Sequence, residues 1–319
     1  MPKIIAYIRG GLGDIYPTVC VIKNLMKKYN ISKFETIIFT DSLYYFRNNY
    51  PKKLETYSLD MIHKVTPNVI EISPTINSNF YLTINDTSDE LSQENADKHL
   101  REFMFWRHAP LKQYIASFLN YDTIFIDSLF TNCIMRWDMQ EQKYERIEDY
   151  DILDYNPPQI EKLVIDGFLK NKHLLINVRI RQESNQAKFD CEYYNKIIAF
   201  CNENGILPIL IGIDMVKLKG KGIMDLREGN ISNNMLSFES MGYLITQANV
   251  MVGDGNGMSL IKTYAQQMDK LNIVNVSRMR TGNWFDRGVV GKSNMILMDG
   301  TKEDNSNKII KLIKDYYKI

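Results

Sequence analysis

Twice along this chain a short run of buried-type β residues breaks into a glycine-rich turn and resumes as an amphipathic helix, and few folds admit that pattern. The first instance opens with Lys3-Ile4-Ile5-Ala6-Tyr7-Ile8 and turns through Arg9-Gly10-Gly11-Leu12-Gly13-Asp14. Val19, Ile22, Leu25 and Met26 then recur at helical spacing as far as Tyr29, which places one apolar stripe on a helix. Glu35 to Asp41 reads as a second buried strand. Strand, helix and strand make a parallel pair, because parallel neighbours need a long crossover, and parallel sheets carry helices on their faces. Asn68 to Ile72 and Thr123 to Asp127 are further strands. The Ser-, Thr-, Asn- and Asp-rich stretch from Ser73 to Asn95 reads as a long surface loop, a length that compact domains keep for function or mobility.

The alternation restarts downstream. Between Asp138 and Pro158 the composition turns polar and acidic and ends in Asn156-Pro157-Pro158; a proline pair resists helix and strand alike, which sets a domain boundary there. The expected division is an N-terminal domain over 1–155 and a C-terminal domain over 156–319, in keeping with roughly 150 residues per domain. In the second half Leu174 to Val178 is a strand, Tyr193 to Asn204 a helix stopped at Gly205, and Ile206 to Gly212 a strand weakened by Pro208. Met241 to Gln247 is helical, Val250 to Val252 a strand, and Gly253-Asp254-Gly255-Asn256-Gly257 the second glycine turn. A helix over Ser259 to Met268 and a strand over Leu271 to Val276 follow.

Composition narrows the function classes. Apolar types make up 45% and charged types 24%, so the chain has ample material for a packed core and is not a disordered scaffold. Lysine and arginine number 39 against 38 acidic residues, without the basic excess of a nucleic-acid coat. Cys20, Cys133, Cys191 and Cys201 form no CxxC pair, and His63, His99, His108 and His173 form no HxxxH or HExxH spacing. No metal site or disulfide framework can be read from them, and a reducing compartment, the cytoplasm, is the expectation. No apolar run approaches the roughly 20 residues that span a bilayer.

A glycine turn from strand to helix lets a ligand approach the backbone, and the helix beyond offers unbonded N–H groups and a positive dipole end to an anion. The GGLGD turn has neither the GxGxxG spacing of a dinucleotide fold nor the GK[ST] of a P-loop. Its distinctive member is Asp14, which suits a helix cap as well as it suits a catalytic carboxylate. In the GDGNG turn Asp254 would repel an inward phosphate, so it either holds the loop or accepts a sugar hydroxyl, while the N–H groups of Asn256, Gly257 and Met258 suit a phosphate. Arg179 and Arg181 leave the 174–178 strand on one face of the extended chain, and Lys188 follows. Paired guanidiniums fit a diphosphate because each forks to two oxygens; salt bridges to Glu183 or Asp190 would use the same groups otherwise. Arg278, Arg280 and Arg287 cluster near Trp284 and Phe285 in a loop that would stack a ring or pack an interface.

These residues suggest a family. GGLGDIYPTVCVIKNLMKKY resembles the opening of glycosyltransferase family 9, the bacterial heptosyltransferase type, in which a Gly-Asp turn precedes a proline-containing first helix. Lys188-Phe189-Asp190, a helix and GILPILIGID resemble its Lys-centred segment and following strand, and VMVGDGNGMSLIKTYAQQM resembles its Asp-Ser-Gly-Pro-x-His loop and helix, with Ser259 standing at the histidine. NVRIR is also similar to the strand end of fucosyltransferases with a His-x-Arg-Arg-Gly-Asp motif, Asn177 standing at their histidine. The family 9 resemblance implies the α/β GT-B fold, two Rossmann-like domains facing a central cleft, with the acceptor on the N-terminal half and a nucleotide-sugar on the C-terminal half. It implies no metal and no cofactor. By the same resemblance Asp14 takes the place of the catalytic base with Gly11 and Gly13 on the acceptor side. Lys188 and the loop Asp254, Gly255, Asn256 and Gly257 take the diphosphate by that resemblance, and Arg179 and Arg181 join them from their place at the strand end.

The expected activity is therefore inverting transfer of a hexosyl or heptosyl group from a nucleoside-diphosphate sugar to a glycan, lipid-linked or other hydroxyl acceptor. A nucleotide-sugar epimerase and a non-catalytic nucleotide-sugar-binding protein of the same fold are the alternatives. The last segment, Asn307 to Lys318, is a basic amphipathic helix. Its apolar stripe either packs on the protein, the expectation for an ordinary surface helix, or makes a peripheral membrane contact.

Overall fold

Five consecutive residues without a charged break form β1 (Ile4–Ile8), and all five side chains are buried, as a strand covered on both faces requires. The computed structural model describes residues 3–8, 11–40, 42–43, 47, 52–71, 123–130, 133–138, 143–146, 149–179, 184–212, 217–227, 236–254, 257–265, 267–275, 294–298 and 302–319. They divide into two units: residues 1–50 with 61–151, and residues 51–60 with 152–319. The 73–95 stretch and the cluster of Arg278, Arg280, Trp284, Phe285 and Arg287 lie outside the described residues.

In the first unit β1 leads to α1 (Leu12–Tyr29), which closes on Asn30 in the left-handed region at φ 52°, a common helix stop. Then come β2 (Thr36–Thr40), α2 (Lys52–His63), which begins in the second unit's segment, β3 (Asn68–Glu71) and β4 (Ile124–Phe130). The sheet order is β3-β2-β1-β4, all parallel, extended by the antiparallel β5 (Cys133–Asp138) and β6 (Lys143–Arg146). The polar stretch after Asp138, where composition sets the domain boundary, opens with β6, and the register sets Arg136 opposite Glu145 and Asp138 opposite Lys143. A charged edge strand is how open sheets avoid pairing with a second chain, so polarity here marks an edge.

The second unit holds α3 (Gln159–Leu169), β7 (His173–Val178), α4 (Ser184–Glu203), β8 (Leu207–Gly212), β9 (Met224–Asp225), α5 (Phe238–Gln247) and β10 (Val250–Asp254). It continues with α6 (Gly257–Tyr264), β11 (Leu271–Asn275), β12 (Met295–Met298) and α7 (Lys302–Tyr317). Its strands pair in parallel in the order β12-β11-β10-β7-β8-β9. Counted within the unit, that is 3-2-1-4-5-6 read from the β9 edge, the doubly wound Rossmann order, whose strand direction of growth reverses between β7 and β10. α4 begins at Ser184 rather than Tyr193, since Gln186, Ala187 and Lys188 all favour helix and nothing breaks it. Lys188 therefore lies in a helix and not on the extended exit from β7. Pro208 stays within β8 because β9 reaches only Ile209 and Leu210, leaving that side of Pro208 without a described strand partner.

The core of this unit joins β7, β8, β10 and β11 to α4 and α7 through Leu174, Ile176, Tyr194, Ile197, Cys201 and Val252. Ile309 and Ile313 of α7 are fully buried in it, so the apolar stripe of the terminal helix packs on the protein. Tyr57 of α2 donates to Leu236 O at 2.6 Å, and its ring meets Phe238, which also takes Tyr155 edge-on. The opposite, N-terminal ends of the strands are tied by His173: its Nδ1–H donates to Asn171 O at 2.9 Å, and its Nε2 accepts from Asn249 N–H at 3.0 Å. That pattern needs the neutral ring, and burial lowers the His173 pKa accordingly. Nearby, Lys262 Nζ donates to Thr246 O and Ala248 O at the end of α5 and to Gln267 Oε1 beyond α6. Those three oxygens suit an ammonium, whereas burial and neighbouring Lys270 push its pKa down to about 6. Among the described residues no helix is long and apolar enough to cross a membrane.

Candidate functional site

In the first unit the carboxyl end of β1, next to β4 at the reversal of strand order, delivers the chain into α1. Gly11 is the helix N-cap with extended backbone, and Asp14 occupies the third helical position. One Asp14 carboxylate oxygen, Oδ2, accepts the Gly11 N–H at 2.9 Å, while Asp14 N–H donates back to Gly11 O at 2.9 Å. Thr18 Oγ1 donates to the Asp14 carbonyl at 2.7 Å and fixes the first turn. Gly13 is buried, and a Cβ on Gly11 would meet nothing within 4 Å. Asp14 thus does serve the helix start, while its half-buried carboxylate stays at the strand end where α/β sheets gather ligands.

In the second unit the corresponding place is the carboxyl end of β7 between β8 and β10. Two glycines let the strands converge there. Gly212, at φ +118°, passes so close that a Cβ would lie 2.4 Å from Val178 O; at Gly253 one would lie 2.8 Å from Asn177 Cβ and 3.2 Å from Ser259 Oγ. Ser259, fully buried at the start of α6, donates its hydroxyl proton to Asp254 O at 2.6 Å and accepts from Asn177 Nδ2 at 3.4 Å. The serine at the resemblance's histidine position is therefore a staple across the β10–α6 turn.

Tyr194 of α4 completes the cluster. Its buried hydroxyl accepts the Arg179 N–H at 2.9 Å and faces the carbonyls of Asn177 at 3.4 Å and Arg179 at 3.3 Å. Burial first, then the charge of Asp254, raise its pKa well above the ordinary phenol range, so it stays a neutral hydroxyl that donates and accepts together. Arg179 itself is exposed, Asp254 is half-buried, and Asp190 is buried on α4.

Of the expected residues, this unit brings Arg179, Asp254 and Gly257 to adjoining strand and helix ends. Lys188 lies in α4 with its side chain outside the described residues, as are Arg181, Gly255 and Asn256. Asp14, Gly11 and Gly13 belong to the other unit. Tyr194, and Ser259 as a staple, were not singled out from sequence; Asn177 had only its place in the NVRIR strand end as a signal.

Neither a family model nor a curated protein sequence matches the chain. Solved structures do. A UDP-GlcNAc 2-epimerase from Methanocaldococcus jannaschii, in complex with UDP-GlcNAc and UDP, is 12% identical with a TM-score of 0.51, over 98% of this chain and 92% of that one. A glycosyl transferase family 9 protein from Veillonella parvula gives 10%, 0.48, 97% and 89%. The E. coli heptosyltransferase WaaC with ADP gives 10%, 0.49, 98% and 99%. At such identity the likeness to the epimerase speaks for architecture alone: this protein has the GT-B fold, two Rossmann-like α/β domains.

Proposed function

We propose that the protein transfers a sugar from a nucleoside-diphosphate sugar to an acceptor hydroxyl, inverting the anomeric centre and using no metal. The observation that carries this reading is the convergence at the β7–β10 reversal, where Arg179, Asp254 and the N-terminus of α6 come to one sheet end. A diphosphate leaving group gains negative charge as the glycosidic bond breaks. Arg179, Arg181 and Lys188 supply positive charge to it, and the first turn of α6, with Gly255, Asn256 and Gly257, supplies aligned N–H dipoles. Asp254 accepts a donor hydroxyl. Asp14 takes the proton from the acceptor hydroxyl as its oxygen attacks the anomeric carbon, with the Gly11–Gly13 backbone leaving room for the acceptor. The acceptor is a glycan, a lipid-linked sugar or another hydroxyl compound, the sugar a hexose or heptose, and the cytoplasm the place of reaction.

The test has two stages. A thermal-shift panel of nucleoside diphosphates and their sugars, with and without EDTA, should give stabilisation by one diphosphate class regardless of chelator. Asp14→Asn should then keep that stabilisation while transfer falls by about two orders of magnitude or more. Unchanged turnover in Asp14→Asn removes it as the base. A second reading, nucleotide-sugar epimerisation, is favoured by the fold likeness to the epimerase; isomerised sugar from donor alone, without acceptor, would establish it. Stabilisation without any product would leave a binding protein.

A further inference from the structure

We propose that Tyr194 is a positioning residue for the diphosphate, acting through the backbone from which Arg179 projects; this rests on the donor-site reading above. Among the described residues the β7–β8 ladder runs to Val178, opposite Gly212, and the Tyr194 hydroxyl takes up the peptide groups just beyond it. It accepts the Arg179 N–H at 2.9 Å and lies within reach of the Arg179 and Asn177 carbonyls, at 3.3 and 3.4 Å. One oxygen therefore holds both sides of the residue where the chain leaves the sheet.

The hold is stiff. The Tyr194 side chain is fully buried in the core under β7, its ring edge-on to Tyr193 at 4.9 Å. The same strand end is pinned from its other neighbour by Gly253 and by the Asn177–Ser259 contact. Tyr194 is too buried to touch a ligand, whereas Arg179 is exposed. A guanidinium forks to two phosphate oxygens only from a defined backbone direction. The phenol thus supplies preorganisation and the arginine supplies contact.

The experiment is a double-mutant cycle on the full chain, read as the dissociation constant of whichever nucleoside diphosphate stabilises the wild type. Tyr194→Phe, which keeps the ring, should weaken binding about tenfold. Arg179→Ala should weaken it at least as much, and adding Tyr194→Phe to Arg179→Ala should cost nothing more, since residues acting as a unit are non-additive. Equal affinity in Tyr194→Phe, or an equal loss with and without Arg179, overturns the inference while the donor-site reading stands. A wild type that binds no nucleoside diphosphate overturns the reading and the inference with it. Hydrogen exchange on the wild type needs no variant: the Arg179 amide should exchange as slowly as the amides within β7, and fast exchange there also overturns the proposal.

Discussion

Asp14 illustrates how one carboxylate serves a structural duty beside the chemical one proposed for it. Its Oδ2 caps Gly11 N–H, and Asn retains an oxygen for that bond. Asp14→Asn should therefore lower stability by less than about 1 kcal/mol, whereas Asp14→Ala, which loses the cap, should cost about 1 kcal/mol in urea unfolding; only the chemistry separates Asn from wild type. Two glycines with positive φ make a sharper comparison. Gly222 sits at φ +62° in open space, and Gly212 at φ +118° against the Val178 carbonyl. Alanine at 222 should cost about 1–2 kcal/mol for the left-handed backbone. Alanine at 212 must also move a strand, so it should cost more and should abolish nucleoside-diphosphate binding, both measurable on the same preparations.

Elements respond to pH and truncation in ways the contacts define. His173 joins the starts of β7 and β10 as a neutral ring, with its folded pKa lowered from 6.5. Below pH 6.5 the unfolded chain binds a proton that the folded chain resists, so stability falls as pH drops through that window and levels off below the folded value. The slope within it approaches about 1.4 kcal/mol per pH unit, and His173→Gln should flatten it in urea titrations. On α7, Ile313→Ala should cost about 2–5 kcal/mol and Lys311→Ala, on the exposed face, less than about 0.5 kcal/mol. The βαβ elements were legible because glycine turns and apolar runs are local. β5 and β6 were not, because a charged edge strand is only a polar stretch until its pairing is known. The roles of Asn177, Tyr194 and Ser259 were hidden for a related reason: Asn177 and Ser259 meet across 82 positions of sequence, and no spacing rule spans that distance.

For the molecule as a whole, the proposed division of labour predicts where a ligand is felt. A saturating nucleoside diphosphate at about 100 times its Kd adds about 2.7 kcal/mol. In hydrogen exchange its protection should appear at 177–179 and 253–259, with residues 11–18 unchanged until an acceptor is present. Protection confined to 11–18 would reverse the assignment of donor and acceptor to the two units. The short reach of β9 has a consequence for stability. On the flank of β8 that β9 serves, Pro208 is buried and, having no N–H, needs no acceptor there, where the described residues offer no strand partner. Pro208→Val puts a donor into that buried place, and the expected result is a loss of about 1–3 kcal/mol in urea unfolding with the fold retained.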